Sequence, residues 1–315
     1  MTDDNSDNTK YQQLLDEEVW SFIHKSNSYC PADAANHTIE QQRAWYTQMC
    51  LGFQPLAEIP VTRLDYRFSD REVPVREYLP VNCALGSTTL IYYHGGGFVV
   101  GNLNSHDDVC AAICTHTGFK VLSVDYSLSP EKKHPEAFLD AYAVFSRIAL
   151  ETNHKILLAG DSAGATLAAC VAARSRHDKK QPDAQVLIYP YLGAPTHEGS
   201  AVEHANAPLL TTKDMEFYEN IRIDPNQPRP SDDTFAPLWG ADFSNLPNTV
   251  IFSAACDPLS DDGPLYAEKI TLAGGKANCI VEPGLVHGYL RARHSSSKAN
   301  RSFTRILDAI RVCGQ

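Results

Sequence analysis

Clustered basic residues, membrane-length apolar runs and paired-cysteine motifs are all missing from this 315-residue chain, and each gap removes a class of function. Lys and Arg number 27 against 38 Asp and Glu, a formal net charge of −11. The basic pairs that exist, Lys179-Lys180 and Arg291/Arg293, are too small to neutralise a phosphate backbone, so no nucleic-acid partner is expected. No apolar run approaches the ~20 residues of a helical membrane span. Nine cysteines are scattered along the chain, with no C-x-x-C and no Cys/His spacing of the zinc type. Reduced thiols are therefore expected, with no metal and no disulfide framework. Cys110 and Cys114, on one face of an expected helix, read as small apolar core residues. The first ten residues are acidic and polar, without the basic and apolar regions of a secretion signal. They read as a disordered start to a cytoplasmic protein.

What is present is a strand, a tight turn and a helix between Lys155 and Ala173. Lys155 to Ala159 is a short apolar run of buried-strand type, and from Ala163 onward the chain is rich in alanine and leucine with no breaker before Arg174. Between them stands Gly160-Asp161-Ser162-Ala163-Gly164, a G-x-S-x-G turn. In the nucleophile elbow such a turn holds a serine hydroxyl clear of the backbone at the N-terminus of a helix. Glycine is needed on both sides because a Cβ would clash where strand and helix approach. A developing oxyanion there meets free N–H groups and the positive end of the helix dipole.

The rest of the chain supplies the setting. Tyr11 to Lys25 carries apolar residues at helical spacing, and Thr38 to Cys50 is a second predicted helix with Thr38 and Gln41 as a capping box. Alternation from Val61 predicts antiparallel opening strands. Strand Thr88 to Tyr93 runs into His94-Gly95-Gly96-Gly97-Phe98, a glycine-rich loop of the kind that supplies an oxyanion-hole N–H, with His94 pinning the loop by hydrogen bonding. Strands then alternate with helices, which predicts a mainly parallel sheet with its site at the carboxyl ends of the strands. Between Tyr191 and Leu238 a proline-rich segment interrupts this rhythm, with a short helix around Thr212 to Ile221. It reads as an insertion that closes over the site together with the N-terminal helices.

After the insertion, strand Thr249 to Ala255 leads to Cys256-Asp257-Pro258-Leu259, which places Asp257 at the sheet edge. Asp261 and Asp262 lie further on, where they suit the N-terminus of the next helix. Glu282-Pro283-Gly284-Leu285-Val286-His287 then places a histidine beyond the last strand. Ser162, Asp257 and His287 follow one another in the chain order of an α/β-hydrolase triad.

These residues resemble the hormone-sensitive-lipase group of α/β-hydrolases, and within it the bacterial acetyl esterases. The resemblance runs from about Leu90 to Tyr289 and is carried by His94 to Phe98, Gly101-Asn102-Leu103, Asp125 to Glu131, Gly160 to Gly164, Asp257-Pro258-Leu259 and His287-Gly288. It implies an α/β-hydrolase fold in a single domain, with a helical cap formed by about 1–55 and 192–238. Ser162 would be the nucleophile, Asp257 the acid and His287 the base, with N–H groups of Ala163 and of Gly95, Gly96 and Gly97 as the oxyanion hole. One departure is Tyr289, where many relatives have phenylalanine, a difference expected to bear on packing. The expected activity is hydrolysis of small esters with acetyl to butyryl groups, without metal or organic cofactor. Phe98 and the bulky Leu209 and Phe217 are expected to bind the substrate. A homodimer is one option for its assembly. The alternative function is a non-catalytic ligand-binding or regulatory protein on the same fold.

Overall fold

A computed structural model describes residues 4–31, 37–55, 57–81 and 88–315. Eight strands form one sheet in the order β1-β2-β4-β3-β5-β6-β7-β8. They are β1 (Val61–Phe68), β2 (Val73–Pro80), β3 (Thr88–Tyr93), β4 (Lys120–Val124), β5 (Lys155–Asp161), β6 (Ala184–Ile188), β7 (Asn248–Cys256) and β8 (Ala277–Val286). β1 and β2 pair antiparallel, β2 meets β4 antiparallel, and every later pairing is parallel. A parallel sheet covered on both faces needs strands that are apolar throughout. β3, β5 and β6 are accordingly buried almost end to end.

The two-residue period of a strand sorts these side chains between two cores. Leu90, Tyr92, Val121, Leu157 and Val186 face α4 (Asp107–Thr117) and α10 (Ser297–Gly314). Ile91, Tyr93, Leu122, Leu158 and Leu187 face α5 (Glu136–Glu151), α6 (Ala163–Ser175) and α9 (Asp262–Leu272). Each fully buried large aliphatic or aromatic side chain contributes roughly 1.5–3 kcal/mol. Cys110 and Cys114 are core residues of the first layer, and the eight described cysteines are free thiols.

The N-terminus differs from expectation. The polar start is helical from Asp4, as α1 (Asp4–Leu14), and the apolar stretch expected as one helix continues as a second, α2 (Glu17–Asn27). Asp16 breaks the run, because its carboxylate accepts from Val19 N at 2.9 Å. An Asp used as a cap in this way stabilises the new helix by about 1 kcal/mol, whereas mid-helix it would compete with the backbone. α3 (Ile39–Gly52) starts at the Thr38–Gln41 capping box as expected. Within 191–238 lie α7 (Ser200–Glu203) and α8 (Thr212–Arg222). Asp261 and Asp262 stand at the N-terminus of α9 as expected, Asp261 as its N-cap and Asp262 in its first turn, and their carboxylates also reach into this insertion. Asp261 accepts from Ser200 N at 2.7 Å, and Asp262 accepts from Leu192 N and Gly193 N at 2.5 and 2.9 Å.

Candidate active site

β5 delivers the chain to Ser162, which sits at φ 53°, ψ −120° immediately before α6. A non-glycine residue in this region costs of order 1–3 kcal/mol and persists only where the surroundings enforce it. The enforcement is visible: Ser162 N donates to Ile188 O at 2.8 Å, and β5 and α6 touch with no room for side chains. A Cβ on Gly164 would lie 1.9 Å from Tyr93 O, and one on Gly160 would lie 2.5 Å from the Gly164 carbonyl carbon.

The structure brings the three candidate triad side chains together. His287 Nε2 stands 2.9 Å from Ser162 Oγ, and His287 Nδ1 stands 2.7 Å from Asp257 Oδ2. Asp257 is fully buried, and its second oxygen accepts from Leu259 N at 2.9 Å. A carboxylate facing Nδ1 fixes that nitrogen as the donor, which leaves Nε2 as an acceptor for the serine hydroxyl proton. The arrangement can therefore withdraw the proton from Ser162 as the oxygen attacks.

The glycine loop divides its amides between two tasks, and Gly95 corrects the sequence reading. Its N–H is already spent, donating to Asp161 Oδ1 at 3.0 Å. Asp161 also accepts from Tyr92 OH at 2.8 Å and lies 3.2 Å from His106 Nε2. Burial would raise its pKa, but His106 and these donors hold it far below the usual carboxylate range. Gly96 and Gly97 have N–H groups with no acceptor among the described residues, and Ala163, as the first residue of α6, carries an orphan N–H. His94 pins the loop as expected, its Nδ1 lying 2.9 Å from Gly95 O. Burial, with His106 stacked beside it, holds the His94 pKa down to about 3, so its ring stays neutral.

Above the strand ends lies a cavity of about 220 Å³. Ser162, His287, Gly96, Gly97 and Phe98 form its floor, Phe22, Tyr46 and Met49 come from α2 and α3, and Leu209, Leu210, Met215 and Tyr218 come from the insertion. Phe98 and Leu209 thus stand where the sequence reading put them. Phe217 does not: it is 42% exposed and faces away from the cavity. Phe217 lies about 100° round the helix from Tyr218, off the side that α8 turns inward. The pocket face of α8 is Met215, Tyr218, Glu219 and Arg222, an i, i+3, i+4, i+7 stripe that was present in the sequence to be found. Tyr218 comes so near the loop that a Cβ on Gly97 would lie 2.4 Å from its ring. Sequence reasoning also missed Phe22, Tyr46, Met49, Arg222 and Arg291, whose approach depends on where distant helices dock.

Strain gathers here too. Among the described residues, seven non-glycine positions have positive φ, and four of them, Phe98, Ser162, Tyr189 and Leu209, line the cavity. Such clustering marks a site shaped for function at some cost in stability. No group of three or more His, Cys, Asp or Glu among the described residues is arranged to hold a metal ion. No helix among them is long and apolar enough to cross a membrane.

Fold and geometry together describe an α/β-hydrolase, and comparison with known proteins agrees. Residues 90–291 match a family model described as the alpha/beta hydrolase fold. An ethyl acetate hydrolase of Pseudomonas putida is 29% identical over 293 residues, covering 89% of each chain. An acetyl esterase of Salmonella paratyphi B is 31% identical over 293 residues, covering 88% of each. The structure of a hyperthermophilic esterase from the archaeon Pyrobaculum calidifontis is 28% identical, with TM-score 0.84 over 95% of this chain and 98% of that one. The chain belongs to this α/β-hydrolase family, in its hormone-sensitive-lipase-like branch. It is a carboxylic ester hydrolase.

Proposed function

We propose that the chain hydrolyses short-chain carboxylic esters by acyl transfer through Ser162. The observation that carries this reading is the continuous hydrogen-bonded line from Ser162 through His287 to Asp257, at 2.9 and 2.7 Å. His287 Nε2 takes the hydroxyl proton as Ser162 Oγ bonds to the ester carbonyl carbon. Asp257 holds the imidazole in the required tautomer and stabilises its charged form. The negative oxygen of the tetrahedral intermediate accepts from the N–H groups of Gly96, Gly97 and Ala163, each donor contributing on the order of 100-fold or more in rate. His287 then returns its proton to the departing alkoxide. Water, deprotonated by the same nitrogen, releases the acid and restores the serine.

The cavity of about 220 Å³ is below the usual ~300–1,000 Å³ of small-molecule pockets, which supports acetyl to butyryl groups as substrates. Residues 1–55 and 192–238 act as a cap on a single catalytic domain, a reading supported by their shared contribution to the pocket wall. The eight free described thiols suit a reducing compartment and hence the cytoplasm. The test is turnover of p-nitrophenyl esters from acetate to decanoate by the wild type and by Ser162→Ala. Expected are a maximum at two to four carbons, loss of turnover in the variant, and an acyl-serine adduct by mass spectrometry. Equal rates in the two proteins would refute the reading.

A further inference from the structure

Arg291 enters the same cavity from the turn that follows His287, and its guanidinium is held by two residues, Cys50 and Tyr46, with no ion pair among the described residues. Nε donates to Cys50 Sγ at 3.2 Å, Nη2 donates to the Tyr46 hydroxyl, and the group lies 4.7 Å above the Tyr46 ring. Burial pushes the Tyr46 hydroxyl and the Cys50 thiol above their ordinary pKa values, so both contacts are neutral. Nη1 has no acceptor among the described residues and lies 3.1 Å from the place a Cβ on Gly288 would take, one residue from His287.

The other charges at the cavity are already committed. Glu219 pairs with Arg229 and accepts from Tyr191 OH at 3.0 Å. Asp161 is occupied by Tyr92, Gly95 and His106, and its charge reaches Arg291 only at a distance, without a direct ion pair. Arg222 likewise has no ion pair among the described residues, but it is closed off between the faces of Phe98 and Phe235, at 3.5 and 4.1 Å, and donates to Phe235 O. Arg293, two residues beyond Arg291, is ion-paired to Asp108. Arg291 has no such pair among the described residues.

A cation taken out of bulk water and left unpaired is costly, and an anion arriving with the substrate offsets that cost. We propose that Arg291 is a specificity-determining residue that selects esters bearing a carboxylate on the chain away from the reacting carbonyl, received by the guanidinium Nη1. The proposal rests on the reading of this cavity as an ester site with Ser162 at its floor. A guanidinium N–H to carboxylate contact is charge-assisted and directional, and its side-by-side donors suit a carboxylate better than a neutral oxygen.

The carboxylate can belong to either half of the ester, and matched pairs separate the two. For the acyl half, monoethyl succinate is compared with ethyl butyrate. For the alcohol half, 4-acetoxybutanoate is compared with butyl acetate. The quantity read by pH-stat is the ratio of kcat/KM, acidic over neutral, in wild type and in Arg291→Met. A ratio within one protein cancels any loss of folded enzyme. In one of the two arms the substitution is expected to lower the ratio by about tenfold or more, mainly through KM, the scale of one hydrogen bond to a charged group. The same ratio in both proteins in both arms overturns the proposal. Should Arg291→Met fail to fold, the wild type decides alone: a preference for the neutral ester of about tenfold or more in both arms overturns it, and a preference for the acidic ester in either arm supports it. If Ser162→Ala hydrolyses the panel as fast as wild type, the ester-site reading falls and this proposal with it, an outcome distinct from an unchanged ratio.

Discussion

The floor of the cavity and its roof are built by different physics. The floor belongs to the sheet: Ser162, Asp257 and His287 stand just beyond β5, β7 and β8, and continuous parallel pairing from β5 through β6 to β8 sets their spacing. Backbone bonds, buried carboxylates and a strained serine hold them. The roof belongs to α2, α3 and the insertion, which offer mostly apolar side chains and are tied down by a handful of bonds. Arg43 reaches Val99 O at 2.8 Å and Ser129 O at 3.0 Å, and Lys133 Nζ reaches Ile221 O at 2.6 Å. On the proposed function, chemistry sits where the main chain dictates position, and substrate choice sits where side chains can be exchanged without disturbing a ladder.

That contrast is sharpest at the triad. Replacing Ser162 by Ala is expected to lower kcat on the order of 10⁴-fold or more, and Asp257→Asn by a comparable factor through the wrong histidine tautomer. Circular dichroism should stay unchanged for Ser162→Ala. Retention of a tenth of the activity by either variant would break the assignment of chemistry to the floor. The next effect in size is on stability. Gly164→Ala drives a methyl group to 1.9 Å from Tyr93 O, a clash with backbone that no rotamer relieves. We expect a loss of at least about 2 kcal/mol in urea unfolding. An equivalent small-to-large change on the roof should be absorbed by side-chain movement, and equal losses in the two would erase the distinction.

The same division explains what could be read from the sequence. The sheet, its alternation with helices and the order Ser162, Asp257, His287 were legible because they depend on local patterns: a two-residue period, an elbow and strand ends. The departure at Tyr289 was also read as a matter of packing, and the ring is indeed fully buried against Tyr189, with its hydroxyl bonded to Ser302 at 2.8 Å. The expectation for Phe217 failed because composition shows only that the segment is aromatic, while the phase of α8 decides which side chain turns inward. Gly95 was misread because its amide partner, Asp161, is 66 residues away in the chain. Arg291 could not be recognised as unpaired without Cys50 and Tyr46, 241 and 245 residues distant.

On the roof the expected effects are smaller. Leu209→Ala and Tyr218→Ala each remove volume from the cavity wall while leaving the triad in place. Each should move the preferred acyl chain upward by a few carbons and change discrimination between butyrate and hexanoate esters by about tenfold, the value of one or two methylenes in an apolar pocket. The kcat/KM profile across the ester series checks this. A uniform fall at every chain length would mean that these residues position the chemistry, which would move the boundary between floor and roof.

The smallest expected effect concerns acid, and it touches both regions. His94 lies under the glycine loop, and His134 packs edge-on against Phe235 of the insertion at 5.0 Å. Burial lowers both from an ordinary 6.5, with the charge of His106 adding to it at His94 and that of Arg222 at His134, to about 3 and about 4. Below pH 6.5 the unfolded chain takes up a proton at each histidine while the folded protein does not, so stability is present above that pH and drains away as pH falls toward 4 and 3. Each group can contribute a slope of at most about 1.4 kcal/mol per pH unit. His94→Asn and His134→Asn should flatten the fall of Tm between pH 7 and pH 5 by nearly equal amounts, and His94→Asn should go on doing so below pH 4, where His134 has taken up its proton and the wholly buried His94 has not. If His94→Asn instead stops doing so at the same pH as His134→Asn, acid reaches the floor as early as the roof, and the two regions loosen together.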